Sequence, residues 1–430
     1  MTTQATTNRS KLRFSKLLRG ALLALIALAG CKPRQFVQPT PQMGIELEFW
    51  VRVLLLDDVR QCTVYTSSGF EVVDAESQTR QVQFDPQDWP VKVEIASGKI
   101  TIAGRPLQSD RVVILPDAPH IFGLNGEEYR GKLEIIANPV GASFDAVNLV
   151  PLEPYLAGVV GAEMPNYWEP EALKAQAIAA RTYCLYTKRR FGPRRHWDVV
   201  KTQANQIYLG IRAESAQIWD AINGTYGQVL VCTHPFDRLR AGSDGTTDIF
   251  PTYYSSVCGG HTESSKDVFG DPFEPLIGVP CPYCEDVAKP DVFFWPMVQF
   301  DQNDVTTRLV QRYPDLKPLG EIADIQPAKQ SDYGTFVRLT LVTLVGSTGK
   351  SHLLRAEDLR LTLDPTGRRL KSTICRIVKW DSQWAFLAGQ GWGHGVGMCQ
   401  CGAEGMARRG AAASEILQHY YPGSKITKVY

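Results

Sequence analysis

From Ile45 to about Val150, apolar residues recur in short alternating runs: IELEFWVRVLLL, CTVYT, VKVEI, RVVIL and KLEIIA. A period of two places one side of each run on a buried face. Turn-forming stretches (SSG, ASGK, LNGEE) separate the runs, so this part predicts strands joined by hairpins. The texture then changes. The segment WEPEALKAQAIAARTYCLYTKRRFG predicts a helix by every local rule. Pro170 suits the first turn, Glu169 and Glu171 sit at the positive end, Lys and Arg gather at the other, and Gly192-Pro193 stops it. A second helical pattern, AQIWDAINGTYG, leads into a strand, QVLVC. Thr233 to Asp248 is polar and turn-rich and reads as an inserted surface loop. A second strand-rich region runs from about Phe294 to Leu387. The chain closes on GWGHGVGMCQCGAEGMARRG and a short helix that begins near Ser414 and is broken by Pro422-Gly423. No internal repeat is visible. The pattern predicts an α+β fold, mostly antiparallel strands around the helix that follows Glu163-Met164-Pro165.

The 430 residues are 44% hydrophobic, ample for a real core, and length alone allows two to three domains. Lys plus Arg (46) nearly balance Asp plus Glu (45), and no basic stripe argues for nucleic acid, so none is expected as a partner. The N-terminus is distinctive. Lys11, Arg13, Lys16 and Arg19 precede a short apolar run, ALLALIALAG, that ends at Cys31. This is the layout of a secretory signal, too short for a membrane span. Leu28-Ala29-Gly30-Cys31 resembles the bacterial lipobox, which implies lipidation of Cys31 and an exported, membrane-anchored lipoprotein. The expected organisation is a signal peptide over 1–31, a Pro- and Gln-rich tether over 32–45, and one region over 46–430. The last divides into a strand-rich part (46–150), a motif part (151–290), a second strand-rich part (291–390) and a C-terminal motif with its helix (391–430).

Several residues carry chemistry. Glu163 stands beside Pro165 just ahead of the predicted helix. A carboxylate there either caps backbone amides or, desolvated by Met164, Tyr167 or Trp168, serves as an acid. Cys258-Gly-Gly-His261 and Cys281-Pro-Tyr-Cys284 bring four soft ligands together at tetrahedral zinc spacing. Such a site would be closed and structural. Export also permits a disulfide among Cys258, Cys281 and Cys284, and both readings stand at this point. Cys62 and Cys232 read as small buried apolar residues. Cys399 and Cys401 cannot easily bridge each other, and a partner such as Cys184 or Cys375 stays unassigned at this point.

The stretch YLAGVVGAEMPNYWEPEALKAQAIAARTY closely resembles the signature of the stage II sporulation protein D (SpoIID) family, which includes amidase enhancers. NQIYLG, YYSSVCGGHTESS, GWGHGVGMCQCGAEGMA and ILQHYYPG follow in the family's order, so the resemblance covers about Gly44 to Lys428. It implies a lytic transglycosylase acting on peptidoglycan glycan strands stripped of stem peptides, with a peptidoglycan amidase as a further partner. Glu163 takes the place of the acid. Arg181 matches a second position implicated in activity, to hold a sugar carboxylate or orient Glu163; a plain ion pair with Glu171 or another surface acid is its alternative. Some relatives bind zinc near the cysteine motif. Gln206 and Tyr208, then Ser255, Ser256, Gly259, Gly260 and Thr262, then Trp392, His394 and Gln400 are the expected substrate-binding residues. Cys399 and Cys401 depart from the commoner serine and aromatic, and the Thr233–Asp248 loop is longer than in relatives.

Overall fold

The computed structural model describes residues 49–85, 90–139, 142–233 and 247–430. The signal, the lipobox with Cys31, the tether and most of the Thr233–Asp248 insertion lie outside the described residues. Contacts divide the chain after Thr40, and every described residue falls in the second unit.

The N-terminal strands build two sheets. The larger has seven strands in the order Val199–Val200, Trp50–Val59, Phe144–Pro151, Lys132–Ala137, Arg111–Pro116, Phe70–Asp74 and Arg80–Phe84. All its pairings are antiparallel except the two-residue strand at its edge. The second is a six-stranded antiparallel sheet centred on Gln61–Thr66. Alternation decides which side chains face inward. Cys62, Val64, Val91 and Val93 are buried while Gln61, Thr63 and Lys92 point to solvent, and both sheets feed one hydrophobic core. Phe144–Pro151 is buried on nearly every residue because a helix covers its outer face.

That helix, α1 (Leu152–Glu163), was not apparent from the sequence. It starts at the last residue of a strand, carries Pro154 in its first turn and holds two glycines, so local rules speak against it. Packing requires those glycines: a Cβ at Gly161 would stand 1.9 Å from the carbonyl oxygen of Ala213. Apart from Glu153, which is buried with the rest, the stretch of α1 from Leu152 to Val160 carries no charge and is buried throughout. The predicted helix, α2 (Pro170–Phe191), follows after a six-residue turn, with Pro170 in its first turn and Lys188, Arg189 and Arg190 in its last. Its alanines let the Gln400–Ala407 and Ala413–Tyr420 helices approach closely. Two hydrogen bonds lock the junction: Glu169 N–H donates to Glu404, and Ala413 N–H to Glu171.

Residues 294–390 enclose a second core, which includes Trp295, Leu344, Leu363 and Phe386. Two sheets line it, one centred on Gln383–Gln390 and one made of Ile322–Asp332, Val337–Gly346 and Ser351–Arg355. This part also contains two helices the strand-rich reading lacks, Gln302–Arg312 and Ala356–Leu363. The first buries only Val305 and Leu309 and is started by the Asp301 cap on Asn303 and Asp304, too faint an apolar stripe to stand out.

After the second core the chain returns. Met398–Cys399 pairs in parallel with Tyr254–Ser255, so the last motif lies directly beside the middle one. The short helix near the C-terminus is Ala413–Tyr420, and Lys425–Lys428 closes against Gln228–Thr233. Among the described residues, no helix is long and apolar enough to cross a membrane.

Phe386 is 1% exposed. Its replacement by alanine should cost about 3–5 kcal/mol, read as a lowered urea midpoint; an unchanged midpoint would show that the second core does not contribute to global stability.

Candidate functional site

Glu163 is the last residue of α1 rather than a cap for α2. The negative pole of a helix therefore lies behind its carboxyl group, which disfavours the charged form. Its Oε1 accepts the N–H of Ile207 at 2.9 Å, and Gln400 Nε2 lies 3.5 Å from Oε2. Both contacts favour ionisation, but burial dominates and pushes the carboxyl up to about 7. No cation and no second carboxylate is among the causes of that shift. The side chain nevertheless keeps a half-buried, solvent-reachable position. Tyr167 does not supply the burial, since it is 79% exposed. Tyr183 and Tyr254 do stand close enough to feel the charge of Glu163.

Arg181 faces away from this group. It is fully buried, its Nη2 and Nε hold both oxygens of Glu153 at 2.6 and 2.9 Å, and its Nη1 donates to the Gln228 carbonyl. The expected contact with a sugar or with Glu163 is replaced by a buried ion pair, and the partner is Glu153 rather than Glu171. Gln206 and Tyr208 are also enclosed. Gln206 accepts from Tyr155 and donates to the Ala180 carbonyl and the Tyr254 hydroxyl, and the Tyr208 hydroxyl donates to Asn148. With their polar groups committed, these two shape the loop that presents Ile207 to Glu163 and do not reach a ligand.

The cysteines converge. The sulfurs of Cys258, Cys281, Cys284 and Cys399 all lie within 4.8 Å of one another and are buried. His261 is not among them: its Nδ1 faces the Thr262 carbonyl and its ring stacks on Tyr333 at 4.0 Å. Cys399 takes its place because the parallel pairing of strands carries residue 399 to the cluster. All nine described cysteines are free thiols, so neither a bridge within the cluster nor one from Cys399 or Cys401 to Cys184 or Cys375 forms. The 3.8 Å between Cys258 and Cys284 sulfurs matches the edge of a tetrathiolate with metal–sulfur bonds of about 2.3 Å. Backbone N–H groups of Cys258 and Gly402 point at the Cys399 sulfur, and the Tyr420 hydroxyl lies 3.0 Å from that of Cys281. Hydrogen bonds from the neighbouring thiols hold the Cys281 thiol well below its usual range, whereas burial pushes Cys258 and Cys399 up. Such a donor set can hold a soft metal ion, with no coordination position left open.

The glycine-rich segments around the cluster are largely spent on the fold. Gly259 O accepts from Gln390, Gly260 faces the Phe336 ring, and Thr262 is buried with its hydroxyl against Val279. The fully buried Arg338, from the second core region, donates to the Cys258 carbonyl at 2.6 Å, and only a glycine at 395 leaves room for its guanidinium. His394 accepts the Val396 N–H, and burial pushes its imidazole down to about 4, so it stays neutral. Trp392 is half-buried with Lys371 over its ring. Ser255 is buried with no partner for its hydroxyl among the described residues, and Ser256 is half-buried. Of the expected contact residues, only Gln400 touches the Glu163 carboxyl group directly. A small, mostly apolar cavity lined by Leu339, Leu359, Leu370 and Cys375, with Arg360, Ser372 and Thr373 at its wall, borders the second core and has no carboxylate in its lining.

Residues 141–232 match the family described as Stage II sporulation protein, and residues 283–397 match a domain of unknown function (DUF8618). The first match holds Glu163 and the second spans the second core. An uncharacterized protein of Brachyspira hyodysenteriae (strain ATCC 49526 / WA1) is 32% identical over 71% of this chain and 74% of its own. The amidase enhancer of Bacillus subtilis (strain 168) is 26% identical over 78% of this chain, which spans about half (49%) of that longer protein. Stage II sporulation protein D of Bacillus amyloliquefaciens is 27% identical over 66% of this chain and 76% of its own.

The raised Glu163 carboxyl has a consequence for stability. Between its ordinary value of 4.5 and about 7 the folded protein holds a proton that the unfolded chain has lost, so stability falls as pH rises through that window. Glu163→Gln should therefore be more stable than the native protein at pH 8, by on the order of 2–3 kcal/mol, with the two converging below pH ~4.5. Equal denaturation midpoints at pH 8 would mean that the carboxyl is not desolvated.

Proposed function

Because the chain belongs to the stage II sporulation protein D family, we propose that it is a peptidoglycan lytic transglycosylase that cuts peptide-stripped glycan strands between N-acetylmuramic acid and N-acetylglucosamine. The observation that carries the reading is Glu163, a reachable carboxyl group that retains its proton to about pH 7 with no second carboxylate influencing it. Hydrolytic glycosidases commonly pair two carboxylates. A lytic transglycosylase needs one. Glu163 gives its proton to the glycosidic oxygen as the bond to the muramyl anomeric carbon breaks. The muramyl hydroxymethyl oxygen then attacks that carbon, and its proton passes to the Glu163 carboxylate, which restores the acid. Ile207 N–H and Gln400 steady the carboxylate in between. Since the nucleophile belongs to the substrate, its effective concentration is high without a further catalytic group.

A second reading is a non-catalytic glycan binder that enhances a peptidoglycan amidase. The name of the Bacillus subtilis relative favours it. Export and lipid anchoring through Cys31 accord with either role and with a place at the cell envelope. Zinc is the ion we assign to the four-cysteine cluster, on the softness and tetrahedral spacing of its donors. When bound it supplies a cross-link and no reaction chemistry. The cysteines hold the strand that leads to Gln400.

Purified protein should release anhydro-muramyl ends from peptide-free glycan strands, seen by mass spectrometry, and Glu163→Gln should lower that rate at least 100-fold. Activity should fall as pH rises through about 7, where the acid loses its proton. Strands bound but uncut by the native protein would favour the amidase enhancer, and Glu163-dependent reducing ends would mean a hydrolase.

The metal assignment has its own check by atomic emission. The native protein and His261→Ala should each carry one zinc per chain, while Cys399→Ser should lose it and melt at a lower temperature. Retention of zinc by Cys399→Ser would remove Cys399 from the ligand set.

A further inference from the structure

The hydrogen bonds around Glu163 leave one donor unspent, and it belongs to Tyr254. Gln206 and Ile207, consecutive in the chain, serve two groups at once. The Ile207 N–H reaches the Glu163 carboxyl group, while the Gln206 side chain reaches the Tyr254 hydroxyl at 2.9 Å. From another side, Tyr254 pairs with Met398, two residues before the Gln400 that also reaches Glu163. The same two segments therefore hold Tyr254 and Glu163 near each other, and among neighbouring charges Glu163 acts on the phenol most strongly.

The direction of the Gln206–Tyr254 bond is fixed by its surroundings. A carbonyl oxygen can only accept, so the Gln206 Nε2 that faces the Ala180 carbonyl at 3.2 Å is the donor end of the amide. Its Oε1 is filled by the Tyr155 O–H. The second N–H of the amide thus donates to the Tyr254 oxygen, and the Tyr254 proton has no acceptor among the described residues. Other phenols of this core spend theirs: Tyr155 donates to Gln206, Tyr208 to Asn148 and Tyr421 to the Tyr253 carbonyl. Tyr254 is half-buried, as Glu163 is. Burial, reinforced by the Glu163 charge, holds its hydroxyl well above the usual range, so it stays a neutral donor where Glu163 titrates.

A neutral, oriented donor suits the strongest neutral acceptor on a strand of N-acetylated sugars, which is the amide carbonyl of an acetamido group. We propose that the Tyr254 O–H binds the acetamido carbonyl of a sugar flanking the cut bond, and thereby selects N-acetylated strands. This rests on the glycan reading above and deepens it. Tyr254 keeps its proton throughout and acts on the substrate, not on the acid. A strand stripped of its acetyl groups presents an amine at that place. Two donors then meet, and the Tyr254 hydroxyl is left unpaired.

The test compares peptide-free strands before and after chemical N-deacetylation, cut by the native full chain and by Tyr254→Phe, which removes only the hydroxyl. On acetylated strands the variant should lose about tenfold in kcat/KM; on deacetylated strands the loss should shrink to less than about twofold. Any fraction of the variant that fails to fold cancels in the ratio between the two substrates. The fall in activity near pH 7 should stay in place, because that limb belongs to Glu163. Equal losses on both strands, or a displaced pH limb, would overturn the acetamido contact and make Tyr254 a positioning residue for Glu163. Equal rates for native protein and variant on acetylated strands would overturn it outright. A native protein that cuts neither strand would overturn the transglycosylase reading. The same comparison is then made on strand binding, where a loss confined to acetylated strands supports the contact and its absence refutes it.

Discussion

The structure depends on the meeting of four thiols whose positions in the chain are far apart. Cys258, Cys281 and Cys284 belong to the middle of the sequence and Cys399 to its end, with the whole second core between them. Bringing such distant positions together is costly in chain entropy and needs support. The support comes from the parallel pairing of Tyr254–Ser255 with Met398–Cys399, from the buried Arg338 bonded to the Cys258 carbonyl, and from Tyr420 against Cys281. Cys399 also caps the helix that begins at Gln400, and Gln400 is the side chain that reaches Glu163. The cysteine cluster and the proposed acid's neighbour are therefore consecutive in the chain, so the rigidity of the first is passed to the second.

Glu163 owes its character to a different constraint. An ordinary surface glutamate at a turn would be ionised at neutral pH. Here the carboxyl group ends a buried helix, faces that helix's negative pole and lacks a cation to offset desolvation. Arg181, expected beside the carboxyl group, is instead committed to Glu153. A buried ion pair of this kind adds little to stability, but breaking either half leaves a charge stranded. The second core region adds a further layer, since Tyr333 and Arg338 close over His261 and the GWGHG loop and turn motif residues into packing.

Much of this was legible in the amino-acid sequence, and the exceptions have particular causes. The helix from Pro170 to Phe191, the alternating strands before Val150 and the short C-terminal helix all follow from local periodicity and end signals. The helix that carries Glu163 did not, because its two glycines oppose local helix rules and are required only by the close approach of Tyr208 and the Ala213 backbone. Helix Gln302–Arg312 escaped notice because its apolar face is two residues wide. Ring-to-ring neighbours such as Tyr183, Tyr253 and Phe269 have no shared sequence spacing that could mark them as neighbours.

What the sequence determined by itself is the α+β class, the family and the identity of the carboxyl group at 163, since each is carried by local pattern and by motif order. The tertiary structure decided the rest. Spacing paired His261 with Cys258, but a metal-ligand set is a matter of where sulfur and nitrogen atoms end up, and strand pairing across the inserted core brought Cys399 there instead. Arg181 was read with the acid because the two share a motif, yet helix phase turned its guanidinium to Glu153. Local sequence specifies which residues can do chemistry; only the packing of distant segments specifies which of them meet.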